Sequence, residues 1–299
     1  MKIIITATNG FMGKALVNYF KKEHQVIALQ RNTQANETNV KYFIWDGKTI
    51  GTWAQEFEGA DVVINLAGKS VDCRYNEKNK AEIFSSRLES TAIIGKAIEK
   101  CAVNPKIWIN AASATIYQHS FVPMTEKDGI IGSGFSVEVC KAWEKAFNDF
   151  NHLNIRQIAL RTAIVLGSDG GVMVPFKNLS KFGLGGKMGD GKQMFSWIHI
   201  LDICRAIEFF IQHENTQGVY NLAAPNPISN KEFMQALRKQ YKRPFGITLP
   251  KFLLEIGARI IQTETELILK SRYVIPERLL EAGFEFEYNT ISKALKEIN

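Results

Sequence analysis

Between an apolar run and an amphipathic stretch near the N-terminus lies Thr6-Ala7-Thr8-Asn9-Gly10-Phe11-Met12-Gly13, whose residue types suit the cradling of a phosphate. Glycines at 10 and 13 let the backbone approach a pyrophosphate, and a helix starting there offers unbonded N–H groups and the positive end of its dipole. The turn departs from a full G-x-x-G-x-x-G, because Ala7 holds the first glycine slot. On its own the motif is weak and also reads as a tight strand-to-helix turn. Three further positions agree with a nucleotide. Arg31, after Ala28-Leu29-Gln30, offers a guanidinium to a ribose 2′-phosphate where an NAD-specific site would carry a carboxylate. Asp46, after Phe43-Ile44-Trp45, can accept from an adenine amino group or close its own turn. Leu66-Ala67-Gly68 closes another apolar run with small residues, leaving room for a dinucleotide to cross. Together these signals point to NADP(H), held by Thr6, Ala7, Asn9, Gly10, Phe11, Met12, Arg31, Asp46, Leu66, Ala67 and Gly68.

Such residues must be carried on a parallel sheet. Short β-branched runs alternate with helical patterns, predicting strands at Lys2 to Thr6, Val26 to Leu29, Val40 to Trp45, Val62 to Leu66, Ile107 to Ala111, Ile155 to Arg161 and Val219 to Leu222. Met12, Leu16, Val17 and Phe20 recur at helical spacing after the first, and a second helix is expected from about Ser86 to Lys100. The fold class that follows is α/β, a Rossmann-type doubly wound parallel sheet with a smaller C-terminal lobe. Gly167 to Gly191 is dense in glycine and reads as a mobile connection leaving the sheet, with residues 167–195 contributing to a substrate pocket. From Pro244 the alternation gives way to helices plus a short Phe284-Glu285-Phe286-Glu287-Tyr288 segment. The expected division is residues 1–243 for the dinucleotide domain and 244–299 for the lobe.

Bulk properties narrow the class. With 299 residues, 45% hydrophobic and 22% charged, the chain has an ordinary globular composition. Cys73, Cys101, Cys140 and Cys204 stand far apart, and the histidines lack i, i+4 pairing, so neither disulfides nor a metal is expected. The opening Met1-Lys2-Ile3 has no signal-peptide character, and no apolar run approaches the ~18 residues of a membrane span, which points to the cytoplasm and away from a membrane. A net charge of +7 is spread along the chain, and its densest stretch, Arg238 to Pro244, reads as a solvated helix end rather than a nucleic-acid surface.

A longer series of motifs now accumulates: Asn65-Leu66-Ala67-Gly68, Ser86-Arg87, Ser113-Ala114, Trp143-Glu144, Gly183-Leu184-Gly185-Gly186, Ser196-Trp197-Ile198-His199, Asn221 to Pro227 and Gly283-Phe284-Glu285-Phe286. In this order they resemble the extended short-chain dehydrogenase/reductases, and more closely their atypical branch, the epimerase family proteins. The resemblance runs nearly end to end and implies the NADP(H) site and the C-terminal lobe. It also implies that Ser113, in Ser113-Ala114-Thr115-Ile116-Tyr117, corresponds to the serine that faces substrate and nicotinamide. Ordinary members pair that serine with Tyr-x-x-x-Lys on the next helix, where the tyrosine exchanges a proton with substrate and the lysine lowers its pKa.

Here the chain departs from the family. Counting back from Glu144, the lysine slot holds Cys140 and the tyrosine slot Ser136, while Lys141 is one residue, or about 100° of helix, out of register. Tyr117 offers a substitute phenol, or packs under a loop. Cys140 and His199 are the other titratable candidates. Two functions follow. One is an oxidoreductase or epimerase-like enzyme, using Ser113 and Tyr117 on a small substrate that is anionic or nucleotide-linked. The other is an NADP(H)-binding sensor with weak chemistry. Apolar periodicity beside the fifth strand fits either a homodimer interface, as in family relatives, or the core.

Overall fold

In the computed structural model of the chain, residues 1–260 and 262–298 are described. The strands in chain order are β1 (Lys2–Thr6), β2 (Gln25–Gln30), β3 (Val40–Ile44), β4 (Val62–Asn65), β5 (Ile107–Ser113), β6 (Arg156–Thr162), β7 (Ile164–Leu166), β8 (Met194–Phe195), β9 (Trp197–His199), β10 (Gly218–Leu222) and β11 (Ile228–Ser229). The helices are α1 (Phe11–Phe20), α2 (Glu77–Ile98), α3 (Phe135–Asn148), α4 (Met173–Lys181), α5 (Ile200–Gln212), α6 (Asn230–Gln240), α7 (Lys251–Ile260), α8 (Glu266–Leu269), α9 (Glu277–Glu281) and α10 (Ile291–Glu297). Seven strands form one parallel sheet in the order β10-β6-β5-β4-β1-β2-β3. The order reverses between β1 and β4, and the crevice outside the carboxyl ends there is where this architecture binds ligands.

Buried on both faces, the strands need near-continuous apolar runs, and Ile3-Ile4-Ile5 supplies one. Side chains alternate across a strand, so Ile3 and Ile5 join Leu16, Val17 and Phe20 of α1 and Ile203, Ile207 and Phe210 of α5. Ile4 joins the opposite core with Trp108, Ile94 of α2 and Phe147 of α3. A third core, beyond the carboxyl edge, holds Phe176, Trp197, Phe233, Leu254 and Leu295. No helix of the described residues is long and apolar enough to cross a membrane.

The sheet strands stand where the sequence puts them, and two helices differ. α2 begins at Glu77 rather than near Ser86, because Asn76 caps it by accepting from the Asn79 N–H at 2.8 Å. Its first two turns are polar and carry little apolar period to read. Within the glycine-rich connection, Met173 and Phe176 bury one face of α4, an element hidden by the flanking glycines. The Phe284 to Tyr288 segment does alternate, with Phe284, Phe286 and Tyr288 buried, but it is not a strand. The N–H groups of Glu287 and Tyr288 donate to the buried Asp202 carboxylate instead of a ladder.

Candidate functional site

The turn after β1 keeps a glycine geometry without its first glycine: Ala7 sits at φ +53°, in the left-handed region. A Cβ on Gly13 would come within 2.4 Å of the Ala7 carbonyl oxygen, so only glycine lets α1 start this close to β1. Gly10 is the N-cap of α1 with no side-chain cap, leaving the helix N-terminus open to an anion. The Phe11 ring turns toward the glycine-rich connection. Cβ atoms on Gly167 and Gly170 would meet it at 2.6 and 2.9 Å, which ties that connection to the turn.

Beside the turn opens a cleft of about 440 Å³, walled by Thr8, Asn9, Lys14, Gln30, Gln34 and Glu37 among others. Lys21 and the Tyr42 hydroxyl hold the Glu37 carboxylate, keeping its pKa below the ordinary glutamate range. Gln30 is tied to Thr8 at 2.9 Å. Arg31 is exposed just past the end of β2, next to this cleft rather than in its wall. Asp46 is exposed and closes its own turn, accepting from the N–H groups of Lys48 and Thr49 and from the Thr49 hydroxyl, which lowers its pKa.

A buried polar chain crosses the carboxyl ends of the central strands. Thr6 Oγ1 donates to Asn65 Oδ1 at 2.8 Å and accepts from the Leu66 N–H at 2.9 Å, so its hydroxyl acts as a tie between β1 and β4. Asn65 Nδ2 donates to Asn110 Oδ1 at 2.8 Å, extending the tie to β5. The loop of Leu66, Ala67 and Gly68 is clamped from α2: Ser86 accepts from the Lys69 N–H and Arg87 donates to the Lys69 carbonyl. The Arg87 guanidinium would lie 3.1 Å from a Cβ on Gly68, so glycine is what lets the loop rest on it.

At the end of β5, Ser113 is half-buried and accepts from the Thr115 N–H at 3.2 Å, leaving its own proton free to donate. Tyr117 stands apart from it. The phenol is 1% exposed in a separate apolar cluster, donates to Asn221 Oδ1 at 2.8 Å and accepts from Arg161 at 2.9 Å. Arg161 in turn grips Glu144 through two bonds of 2.7 and 2.8 Å. The expectation of a catalytic phenol therefore gives way to the packing alternative, because both bonding directions of the hydroxyl are spent in the interior. Cys140 is buried, and burial pushes its thiol up to about 11. Lys141 is exposed and pairs with Glu138 at 3.1 Å. His199 caps α5 by accepting from the Leu201 N–H and lies against the Tyr288 ring at a tilt of 36°, with burial taking its pKa down to about 4.

Around the tyrosine slot the structure gathers residues that sequence reasoning missed. Ser136 donates to Glu266 Oε2 at 3.1 Å and meets the Tyr75 hydroxyl at 3.5 Å. Lys270 lies 3.7 Å from Glu266 Oε1 and donates to the Thr115 carbonyl at 3.3 Å. Glu266, Lys270, His119, Gln118 and Gly132 line a second cavity of about 420 Å³. Burial first, and Arg272 second, lower the Lys270 pKa from the ordinary amine range. The i, i+4 spacing of Glu266 and Lys270 was the only local signal, and it reads as an ordinary helix-surface pair.

Residues 3–223 match the NAD dependent epimerase/dehydratase family, and residues 249–298 match a domain of unknown function, DUF1731. The chain is 31% identical over 304 residues to the epimerase family protein YfhF of Bacillus subtilis, covering 100% of this chain and 98% of that one. It is 30% identical to an epimerase family protein of Staphylococcus epidermidis, over 99% of this chain and 98% of the other. The solved structure of the human epimerase family protein SDR39U1 with NADPH superposes with a TM-score of 0.85 at 28% identity, over 100% of this chain and 99% of that one. A nucleoside-diphosphate sugar epimerase from Corynebacterium glutamicum gives 0.77 at 27% identity, over 99% of this chain and 57% of its own. The chain belongs to the NAD dependent epimerase/dehydratase family, within the atypical short-chain dehydrogenase/reductase branch of epimerase family proteins, and has that family's nicotinamide-cofactor fold.

Proposed function

We propose that this chain is an NADP(H)-dependent oxidoreductase or epimerase-like enzyme acting on a small substrate, anionic or nucleotide-linked. The observation that carries the reading is Ala7 at φ +53° before the uncapped N-terminus of α1. A phosphate turn is kept there at the expense of backbone strain. The Gly10 N–H closes the turn on the Ala7 carbonyl at 2.9 Å, and the N–H groups of Phe11 and Met12 fit a pyrophosphate, while the cations Arg31 and Lys14 fit a 2′-phosphate at the neighbouring cleft. The solved human relative with NADPH supports the same cofactor form. Bound there, the cofactor supplies or accepts a hydride at a carbinol carbon, and Ser113 hydrogen-bonds the substrate oxygen. Four free thiols suit a reducing cytoplasm.

A second reading, an NADP(H) sensor without efficient chemistry, is favoured by Ser136 and Cys140 in the tyrosine and lysine slots and by the locked Tyr117. Fluorescence titration with both cofactors tests the shared premise. NADPH is expected to bind more tightly than NADH by roughly 1.5 to 3 kcal/mol, about 10- to 150-fold, and Arg31→Asp to invert the order. Equal affinities in the parent protein would remove the role of Arg31. Turnover with a panel of carbonyls and sugar nucleotides, followed by absorbance of the reduced nicotinamide, separates enzyme from sensor.

A further inference from the structure

The C-terminal segment brings an acid to the end of β5, beside the residue that fills the family's tyrosine slot. We propose that Lys270 is the proton donor to the substrate oxygen, with Glu266 as its positioning residue; the inference rests on the hydride-transfer reading above. Lys270 is in the wall of the 420 Å³ cavity, and its ammonium is anchored to the carbonyl of Thr115, two residues beyond Ser113. An ammonium has three N–H directions. The Thr115 carbonyl takes one, and Glu266 stands 3.7 Å away as an ion-pair partner, so an N–H remains for an oxygen in the cavity. Glu266 is itself fixed by Ser136, so the serine in the tyrosine slot orients the group that replaces the tyrosine.

The groups facing Lys270 set its acidity. Glu266 on α8 holds the proton on, whereas burial and the neighbouring Arg272 favour its loss; Cys140 on α3 adds a smaller pull toward the charged form, and His119 shares the cavity wall. The balance lies below the ordinary amine, which suits a general acid. Rival donors are less apt. Tyr75 reaches Ser136, yet burial raises its pKa. In a reduction, the carbonyl carbon accepts a hydride from the reduced nicotinamide, and the pair of its π bond passes to oxygen. That oxygen takes the proton from the Lys270 ammonium, and the amine left behind regains one from water.

The test combines an activity arm with one independent of turnover. In protein labelled with ¹³C at the lysine Cε, with Lys270→Arg identifying the resonance, Lys270 is expected to titrate below the ordinary value of about 10.4 and to shift on NADPH saturation. A titration at the ordinary value with NADPH bound overturns the proposal. With a carbonyl that the parent protein reduces, Lys270→Met is expected to lower kcat by at least about 100-fold while NADPH affinity holds. Lys270→Arg should not restore the rate, because a guanidinium keeps its proton, whereas added methylamine should partly rescue Lys270→Ala. Parent-like kcat in folded Lys270→Met, or turnover lost in Tyr75→Phe but kept in Lys270→Met, overturns it equally. A parent protein that fails to bind NADPH defeats both readings; one that binds it and reduces nothing defeats the hydride reading, and the lysine titration with NADPH bound still judges Lys270.

Discussion

Tyr117→Phe separates a structural phenol from a catalytic one. The substitution removes one oxygen and leaves the ring, which is 1% exposed and well packed, so little apolar burial is lost. What it strands is an acceptor, Asn221 Oδ1, formerly 2.8 Å away, and a donor, Arg161 Nη1, formerly at 2.9 Å. A hydrogen bond to a charged group contributes about 1.5 to 3 kcal/mol and a neutral one about 1 kcal/mol. Arg161 keeps both bonds to Glu144, and Asn221 Nδ2 keeps the Ile275 carbonyl, so the network is damaged rather than dissolved. The expected loss is therefore about 3 kcal/mol, or a Tm lower by roughly 6 °C for a chain of this size. Urea unfolding should show a reduced midpoint at constant slope, and NADPH affinity should not move. Stability within about 0.5 kcal/mol of the parent, together with lost turnover, would refute the reasoning and return Tyr117 to the chemistry.

Other expectations follow from single contacts. Ala7→Gly relieves the positive φ, and thermal unfolding should show a gain of up to about 1 kcal/mol after the entropic cost of glycine; a loss would mean that alanine is not strained there. Gly170→Ala places a methyl 2.9 Å from the Phe11 ring, so the ring must shift and NADPH titration should report weaker binding. Ser113→Ala should spare NADPH affinity and depress turnover, and an unchanged rate would make Ser113 a strand-end residue. His199 has a folded pKa of about 4 against an ordinary 6.5, so the unfolded chain binds the proton first and stability contributed by the neutral ring is lost as pH falls from 6.5 toward 4. His199→Asn keeps an N-cap and removes that titration, so parent and variant unfolding energies should converge in acid; parallel pH profiles would argue against it.

The parallel sheet was legible because its determinants are local. Ile3-Ile4-Ile5 and Val62-Val63-Ile64 are buried on both faces, and such runs announce themselves within a few residues. The phosphate turn was half legible: the sequence shows alanine in a glycine slot, and only the backbone shows that the slot kept its left-handed geometry. Helix α4 was hidden because glycines around it outweighed two apolar positions. The environment of Ser136 was not legible at all. Its partner Glu266 lies 130 residues along the chain, and Lys270 is 155 residues from Thr115. No periodicity on either segment encodes such a meeting. For Tyr117 the sequence left a catalytic phenol and a packed one both open, and no local signal chooses between them, since Arg161 and Asn221 arrive from β6 and β10.

The same long-range contacts explain why a change of composition near residue 244 does not coincide with a change of core. Leu279, Phe284 and Phe286 pack with α1 and α5, and Leu254 and Leu295 pack with Phe176 and Phe233. Between those clusters the backbone is stitched to the sheet domain at successive positions. Ser271 Oγ donates to the Ser120 carbonyl, Arg272 N–H to the Met194 carbonyl, Val274 N–H to Ser196 Oγ, and Ile275 N–H to the Met124 carbonyl. Arg278 adds a 2.6 Å bond to the Val219 carbonyl of β10. Val219 apart, those partners belong to the segment after β5 and to the β8 region, which must be positioned before any pocket beside Ser113 has a wall. Lys270 directly precedes this stitched run, so its ammonium is placed by the bonds that hold the run against the Ser120 and Met194 segments. A residue carried by a floppy lobe could not keep a 3.3 Å contact to Thr115; one anchored on a stitched strap can.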